Sequence, residues 1–341
     1  MNHTAFFDAV KSGNIAECYL FEGPEEYIKQ QALKNLCAKL LPAGLEEMNL
    51  TELQDPDPDT LIAAAETLPF MGEKRLVVVR ECSLIASGRK AENEKTVEAI
   101  TDYLTHIPPS TCIVFYVKGK ADGRKKLYTL IKKKNAIVDF SPMNDVECVD
   151  WARRTMRRMG KQMDGETAGK LVFTVGRDAA LLKQEMDKLA SYLDGRETVT
   201  AEDIDAICTR STECTVFQMV DAQVAGNLDQ TFALLRDMIR AGEQRMMILA
   251  MLLRQYRILY HMRCLIDERT PPNAQAQLLG IPPFSVSRTQ QQARRFSREK
   301  LREAYDYLMD LEYRIKQGLI PQDSCAENAL LALENILRGQ P

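Results

Sequence analysis

The stretch Cys112-Ile-Val-Phe-Tyr-Val117 is a continuous apolar run, and Leu76-Val-Val-Val79 is a second one upstream. Runs of this kind, rich in β-branched and aromatic residues, are typical of strands buried on both faces of a parallel sheet. Helical patterns separate them from further strand-like runs at Cys18–Phe21, Asn49–Leu53 and Ala136–Phe140. We therefore expect a five-stranded parallel α/β domain with right-handed crossovers.

The pattern changes after Ser141-Pro142, and the rest of the chain has helical periodicity. Thr200-x-x-Asp203 is a capping box that begins a short helix, and the apolar spacing over residues 243–267 predicts a long one. A chain of 341 residues has room for two or three domains of ordinary size, and the changes of pattern indicate three. The predicted domains are an α/β domain over 1–142, a small helical domain over 143–210 and a C-terminal helical domain over 211–341.

The composition limits the possible functions. The 341 residues carry 45 Lys and Arg against 48 Asp and Glu, which gives a net charge of −3. A stand-alone nucleic-acid-binding protein needs an excess of cations to neutralise phosphates, and this chain as a whole has none. With 45% hydrophobic residues the chain can bury several cores, which excludes general disorder.

The nine cysteines and three histidines are scattered along the chain. No two cysteines have the C-x-x-C spacing, so the sequence predicts no metal site. We expect the thiols to be core residues in a reducing compartment. The longest apolar stretch, residues 246–253, is far shorter than a membrane span, and the amino terminus has no secretion signal. These features predict a cytoplasmic protein that does not contact a membrane.

The segment Tyr19-Leu-Phe-Glu-Gly-Pro-Glu-Glu-Tyr27 stands where a nucleotide-binding α/β domain has its phosphate loop. Only Gly23 is present, Pro24 lacks an N–H donor, and the glutamates would repel a triphosphate. No acid pair follows the strand at residues 113–117, and no catalytic set of Ser, Cys, His or carboxylates is recognisable. We predict no catalytic residue and no bound cofactor.

The connection Thr67-Leu-Pro-Phe-Met-Gly-Glu-Lys-Arg75 joins a helix to the second apolar run. Pro69 cannot continue a helix, and the glycine of the segment allows a turn. Connections usually lie on the surface, where the apolar side chains of Leu68, Phe70 and Met71 favour insertion into the pocket of a partner, with Phe70 as the anchor. The alternative is that they fold back into the core, and the sequence does not decide between the two.

Basic residues form four clusters. Such runs are usually solvated helix faces, although a role in phosphate binding stays open for some of them. The clusters are Lys118 and Lys120 with Arg124, Lys125 and Lys126; Lys132, Lys133 and Lys134; Arg153, Arg154, Arg157 and Arg158; and Arg288, Arg294, Arg295 and Arg298.

Residues 274–295 superficially resemble a helix-turn-helix with a basic second helix. This pattern gives an alternative function, a DNA-binding regulator that uses residues 274–295. Two prolines in the turn and the long apolar helices on either side favour an element of a helical bundle instead.

Taken in order, these elements resemble the delta-subunit family of the bacterial DNA polymerase III clamp loader over the whole chain. The most specific of them is Glu66-Thr-Leu-Pro-Phe-Met-Gly-Glu-Lys-Arg-Leu-Val-Val-Val79, which is similar to the helix tip and following strand of that family. The supporting matches are Tyr19–Gly23, Arg124–Leu127, Gly176–Ala179, Glu185, Lys188-Leu189, Val216-Phe217 and Gln292–Ser297.

The resemblance implies an AAA+-like fold: an α/β domain with a degenerate nucleotide site, a helical lid over 143–210 and a helical collar over 211–341. It implies a clamp-loader subunit that has no catalysis of its own within a DNA polymerase holoenzyme. Arg177 stands where active loader ATPases keep a nucleotide-sensing arginine, and we interpret it as a structural remnant.

The family's delta subunit also implies a binding function. Leu68, Pro69, Phe70 and Met71 are then the tip that enters a pocket of the sliding clamp and favours the opened ring. The implied partners are the sliding clamp (beta), the gamma/tau and delta-prime loader subunits through the collar, and primed DNA within the assembly.

Overall fold

The computed structural model describes residues 1–87 and 94–339. The chain divides into two compact units, Met1–Pro142 and Met143–Pro341. Within the described residues, every strand of the sheet belongs to the first unit, and the second unit is built from helices. The predicted division of the second unit between residues 210 and 211 stays a prediction.

The first unit contains a five-stranded sheet in the order β2-β3-β4-β1-β5, and every neighbouring pair is parallel. The register pairs Leu76 with Cys112 and Cys18 with Ile113. The five predicted strands are confirmed, each to within one residue at either end. The strands are Cys18–Glu22 (β1), Leu50–Gln54 (β2), Arg75–Arg80 (β3), Thr111–Tyr116 (β4) and Ile137–Asp139 (β5).

Burial along the strands explains why the apolar runs are continuous. All residues of β1 and β4 are buried, as are all but the last of β3. These are the three central strands, which helices cover on both faces. β2 lies at an edge and is only partly buried, which agrees with its mixed sequence Leu-Thr-Glu-Leu-Gln.

Helices cover the sheet of the first unit. Two of them, α1 and α3, were not anticipated from the sequence. The Asn2 side chain caps α1 by accepting from the Ala5 amide, and Phe6 packs edge-on against the rings of Tyr19 and Phe21. The helices are His3–Ser12 (α1), Glu26–Leu40 (α2), Glu46–Asn49 (α3), Pro58–Glu66 (α4), Glu94–Tyr103 (α5) and Lys126–Lys133 (α6).

The second unit begins with four shorter helices. The predicted capping box of Thr200 and Asp203 is confirmed, since each residue's side chain bonds the other's backbone amide. Asn144 and Glu147 form a second box at the start of the unit. The helices are Asp145–Arg158 (α7), Gly165–Val175 (α8), Ala179–Tyr192 (α9) and Ala201–Ile207 (α10).

The remaining helices pack around the long helix α13, whose residues Leu252 and Tyr256 are fully buried. The Tyr256 hydroxyl donates to Gln223 at 2.8 Å, and the Gln223 amide donates to the Leu330 carbonyl at 2.8 Å, so this core contains a satisfied polar link. The helices are Thr212–Ala225 (α11), Leu228–Arg240 (α12), Arg245–Asp267 (α13), Pro272–Leu279 (α14), Val286–Ala293 (α15), Arg298–Lys316 (α16) and Cys325–Arg338 (α17), with a 3-10 turn at Pro283–Ser285.

Two further sequence predictions concern the burial of the cysteines and the absence of a membrane-spanning segment. Six cysteines are buried and three are half-buried, in keeping with core positions. Within the described part of the chain, no helix combines the length and the apolar character needed to cross a membrane.

Candidate functional site

The tip segment, residues 67–74, connects the end of α4 to the start of β3. It therefore lies at the edge of the parallel sheet where the strands begin. The side chains of Leu68 and Met71 are 79% and 78% exposed, and Phe70 is 49% exposed. Of the two interpretations of these residues, folding back into the core is thus wrong, and the apolar groups lie on the surface.

Asn49, the last residue of α3, holds the middle of the tip segment. Its Nδ2 donates to the Phe70 carbonyl at 3.0 Å and to the Leu45 carbonyl at 3.1 Å, while its Oδ1 accepts from the Phe70 amide at 2.7 Å. The side chain of Asn49 is fully buried. Because both backbone groups of Phe70 are satisfied by one rigid amide, the Phe70 ring projects from a fixed backbone.

Arg75 holds the start of the tip segment. It is buried at the first position of β3, and its Nη2 donates to the Thr51 hydroxyl at 2.7 Å. Its Nη1 reaches the carbonyls of Thr67 and Leu68 at 3.4 and 3.5 Å. The Thr67 hydroxyl in turn donates to the Ala63 carbonyl of α4 at 2.8 Å. The segment is therefore bonded to the helix before it and to the sheet after it.

The turn itself depends on Met71 and Gly72. Met71 has a left-handed φ of 49°, which is uncommon for a residue with a side chain. A Cβ on Gly72 would lie 2.9 Å from Cγ of Pro42, so no larger residue is accommodated there without movement. The three exposed apolar side chains contain no titratable or nucleophilic group. This surface can bind an apolar pocket.

The degenerate nucleotide position lies at the opposite edge of the sheet, after β1. The Gly23 amide donates to the Gly119 carbonyl at 2.7 Å, and the Glu25 amide donates to the Phe140 carbonyl at 3.1 Å. A phosphate loop needs such amides free to cradle a phosphate. A Cβ on Gly23 would lie only 2.3 Å from the Phe140 oxygen, so the backbone of Phe140 closes this position.

The charged groups around this position are also satisfied within the protein. Buried Glu22 accepts from the Ala121 amide at 3.0 Å and lies 3.6 Å from the ammonium of Lys120. Fully buried Lys29 donates to Glu26 at 2.6 Å and to the Val117 carbonyl at 2.8 Å. A phosphate would meet carboxylates here and would have to displace them from both lysines.

Tyr116, the last residue of β4, completes this group. Its hydroxyl donates to the Glu26 carboxylate at 2.8 Å, and its ring lies 4.9 Å from the Lys29 ammonium and 4.8 Å from the Arg80 guanidinium. Burial and the bond to the carboxylate raise the pKa of Tyr116. At this position the Tyr116 hydroxyl is therefore a neutral donor that is already bonded, and the charged side chains are already paired with one another.

The structure describes no group of His, Cys, Asp and Glu side chains placed to hold a metal ion in residues 1–87 and 94–339. Arg177, interpreted as a remnant, is largely exposed and lies 3.8 Å from Asp145. Both side chains lie on the surface of the second unit.

The segment 274–295 forms α14, the 3-10 turn and α15. Two side chains of α15 that a DNA-recognition helix would present to the bases are instead bonded to other residues of this protein. Arg288 and Gln292 both pair with Asp221 of α11, and the Arg288 guanidinium lies 5.3 Å from the Phe217 ring. The residues of α15 that are buried are Val286, Thr289, Gln292 and Ala293.

Two protein-family models match most of this chain. The family model described as "DNA polymerase III, delta subunit" matches residues 19–141, and the model of the C-terminal domain of the same subunit matches residues 213–333.

The chain belongs to the DNA polymerase III delta-subunit family.

A relative and a solved structure, both from Bacillus subtilis, are similar to this chain over nearly its whole length. DNA polymerase III subunit delta of Bacillus subtilis (strain 168) is 28% identical over 329 residues, which is 95% of each chain. The solved structure titled Bacillus subtilis DNA clamp loader delta protein (YqeN) is 26% identical, with a TM-score of 0.57, and the match covers 98% of this chain and 99% of that one. The expected five-stranded parallel α/β domain followed by helices is confirmed, and neither the structure nor the family supports the helix-turn-helix regulator.

The sequence did not single out the residues that hold the tip segment. Asn49 is the last residue of the four-residue helix α3, which is too short to show a helical periodicity in the sequence. Arg75 offered one signal, a charged residue at the first position of an otherwise apolar strand. Such a residue must find partners when the strand is buried, and here it finds them in the tip segment.

Proposed function

We propose that this chain binds the sliding clamp through Leu68, Pro69, Phe70 and Met71 and favours the opened ring, so that the clamp is loaded on primed DNA. The observation that carries the proposal is the exposure of Leu68, Phe70 and Met71 on a backbone that Asn49 fixes. Membership of the delta-subunit family supports it. Pro69 is half-buried and shapes the segment more than it extends the contact.

The energetics favour a small apolar contact. Full burial of a leucine or phenylalanine side chain contributes about 1.5–3 kcal/mol. A segment already held in its binding conformation loses little conformational entropy on binding. Ring opening then requires only that the tip segment bind the opened clamp more tightly than the closed one.

Two further parts of the proposal concern the partners. We infer that residues 211–341 form a collar that joins the gamma/tau and delta-prime loader subunits. Several apolar side chains of this region are exposed and available for such contacts; they are Met247, Leu278, Met309, Tyr313, Leu319 and Leu331. Within the complex the chain supplies no ATP hydrolysis, because the amides and lysines near Gly23 are already bonded.

A binding titration of the full chain with the cognate sliding clamp tests the proposal. Phe70→Ala should weaken the affinity roughly 10- to 100-fold. Leu278→Ala removes an exposed apolar side chain elsewhere (67% exposed) and should leave the affinity unchanged. Equal affinities of the wild type and Phe70→Ala would refute the assignment of the tip segment.

A further inference from the structure

One basic cluster of the sequence is not explained by the tip segment or the collar. The α7 arginine set, Arg153, Arg154, Arg157 and Arg158, occupies the carboxyl half of α7. Among the residues that the structure describes, none of the four forms an ion pair with a carboxylate. Arg153 and Arg154 donate only to backbone carbonyls, those of Met163 and Asp150, each at 3.3 Å.

Two of the other three clusters contain cations that pair with carboxylates of the protein. Lys120 pairs with Asp139 at 3.0 Å, and Arg124 pairs with Asp122 at 2.8 Å. In the last cluster Arg288 pairs with Asp221, and Arg295 donates to a backbone carbonyl. The short run Lys132–Lys134 is exposed at the end of α6 and is the natural comparison for the α7 arginine set.

The arrangement on α7 does not serve the stability of the helix. Residues four apart share a face, so Arg153 lies beside Arg157 and Arg154 beside Arg158, and like charges at this spacing destabilise a helix. Attraction to the helix dipole accounts for cations in the last turn but not for Arg153 and Arg154.

Helix α16 shows the ordinary arrangement. Its cations pair with carboxylates four residues away: Arg302 with Asp306 at 3.5 Å, Arg314 with Asp310 at 3.7 Å, and Lys316 with Glu312 at 3.0 Å. The same chain therefore neutralises one long helix surface and leaves another strongly cationic.

Two members of the α7 arginine set, Arg153 and Arg157, also border a concave surface with a volume of about 480 Å³. Neutral hydrogen-bonding groups stand beside the cations, and no aromatic residue is among the lining residues. The carboxylate of Asp164 is engaged as the cap of α8, where it accepts from the Thr167 amide at 2.7 Å. The lining residues are Arg153, Arg157, Lys161, Gln162, Met163, Asp164, Thr198 and Val199.

We propose that this concave surface binds the phosphates of a DNA backbone. One guanidinium group can donate two hydrogen bonds to the oxygens of a phosphate, and the side chains of Gln162 and Thr198 offer further donors. Arg153 and Arg157 are separated by about 6 Å along the helix axis, and a DNA strand presents a charge about every 3.4 Å, so both can contact one strand. The lining has no aromatic side chain for stacking on bases, so binding is independent of sequence.

The choice of DNA rests on the proposed function, in which the clamp is loaded on primed DNA, and its test is independent of the clamp-binding tip. An acidic protein segment is the competing ligand. Interfaces between proteins usually have an apolar centre, and here only Met163 and Val199 are apolar among the lining residues. The charge and polarity of the surface therefore favour a nucleic-acid backbone.

The test is fluorescence anisotropy of a labelled primer–template DNA with the full chain at several salt concentrations. Arg153→Gln/Arg157→Gln should weaken binding about 10-fold at low salt and lower the slope of log affinity against log salt by about 1–2. The matched control is Lys132→Gln/Lys133→Gln, which removes the same charge from the exposed run on α6 and should have little effect.

Three outcomes would overturn the proposal: unchanged DNA affinity of Arg153→Gln/Arg157→Gln, an equal loss in the lysine control, or displacement of DNA by polyglutamate as effectively as by unlabelled DNA. Arg157→Gln alone repeats the test at a lining residue without disturbing the Arg153 bond to Met163, and circular dichroism checks that each variant is folded. Clamp binding should be unchanged in both arginine variants, whereas Phe70→Ala should keep its DNA affinity. Failure of one proposal is thus distinguishable from failure of the other.

Discussion

The side chain of Asn49 bonds both backbone groups of Phe70, donating to its carbonyl at 3.0 Å and accepting from its amide at 2.7 Å. This pairing resembles that between neighbouring strands, with one side chain in place of a strand. It leaves the Phe70 ring half-exposed while the backbone below it is fixed. An exposed aromatic residue is therefore positioned by a neighbour that does not itself reach the surface.

Asn49→Ala should lower the free energy of unfolding by about 1–3 kcal/mol, because Phe70 and Leu45 lose buried partners. Clamp affinity should fall as well, since the tip segment becomes mobile. Urea unfolding and clamp titration measure the two effects. Asn14→Ala, at an exposed position, is the control. If both variants unfold alike, the Asn49 bonds do not stabilise the chain.

Gly72→Ala should lower the free energy of unfolding by about 1–3 kcal/mol, since the new methyl group meets the rigid ring of Pro42 at 2.9 Å. The control is Gly195→Ala, where a Cβ has nothing within 4 Å. Thermal unfolding compares the two. A Gly72→Ala midpoint at or above that of the control would show that the turn accommodates a side chain.

The isolated chain should not bind ATP. The Gly23 and Glu25 amides are bonded to carbonyls, and the ammonium of Lys29 is buried between Glu26 and Val117. Titration with a fluorescent ATP analogue should give no saturable signal at micromolar concentrations, with an active loader ATPase as the positive control. Saturable binding would mean that this position opens in solution.

The stability contributed by Asp203 should depend on pH. Its hydrogen-bonded pair with Arg196, at 2.7 Å, lowers the pKa of Asp203. The contribution is therefore complete above the unfolded pKa of about 3.9 and is lost as the pH falls through the lower folded pKa. Urea unfolding should show a larger difference between the wild type and Asp203→Asn at neutral pH than in acid.

The control for this pH dependence is Asp194→Asn, at an exposed position whose left-handed φ of 45° asparagine also tolerates. This substitution removes a carboxylate that takes no part in the pair of Asp203 with Arg196. If Asp203→Asn behaves in the same way, the pair with Arg196 contributes no net stabilisation.

Much of the first unit could be predicted from its sequence because buried parallel strands leave a strong local signal. The run Cys112–Val117 identifies β4, and the place of β1 before Gly23 locates the missing nucleotide site. The exposure of Leu68 and Met71 could not be predicted, since apolar residues in a connection are compatible with either surface or core. The tip segment is held in place by the bonds of Asn49 to Phe70 and of Arg75 to Thr67. These bonds depend on the tertiary structure, and no local pattern in the sequence indicates them.

Helix α1 shows a second limit of the sequence. Its cap, Asn2, is a recognisable signal, but the helix is short, and it is stabilised by contacts of Phe6 with Tyr19 and Phe21 on the sheet.

The basic clusters show a third limit of prediction from the sequence. Lys120 and Arg153 each belong to a run of basic residues in the sequence. The structure distinguishes them, because Lys120 pairs with the Asp139 carboxylate whereas Arg153 donates to the backbone carbonyl of Met163.

The close approach of Phe140 to Gly23 has an evolutionary consequence. A Cβ at residue 23 would overlap the Phe140 carbonyl at 2.3 Å, and Lys29 is committed to Glu26 and Val117. To bind a triphosphate here, a descendant of this chain would have to shift the end of β5, free its backbone amides and acquire a phosphate-binding lysine together. Because no one of these changes opens the position alone, single substitutions are expected to leave it closed.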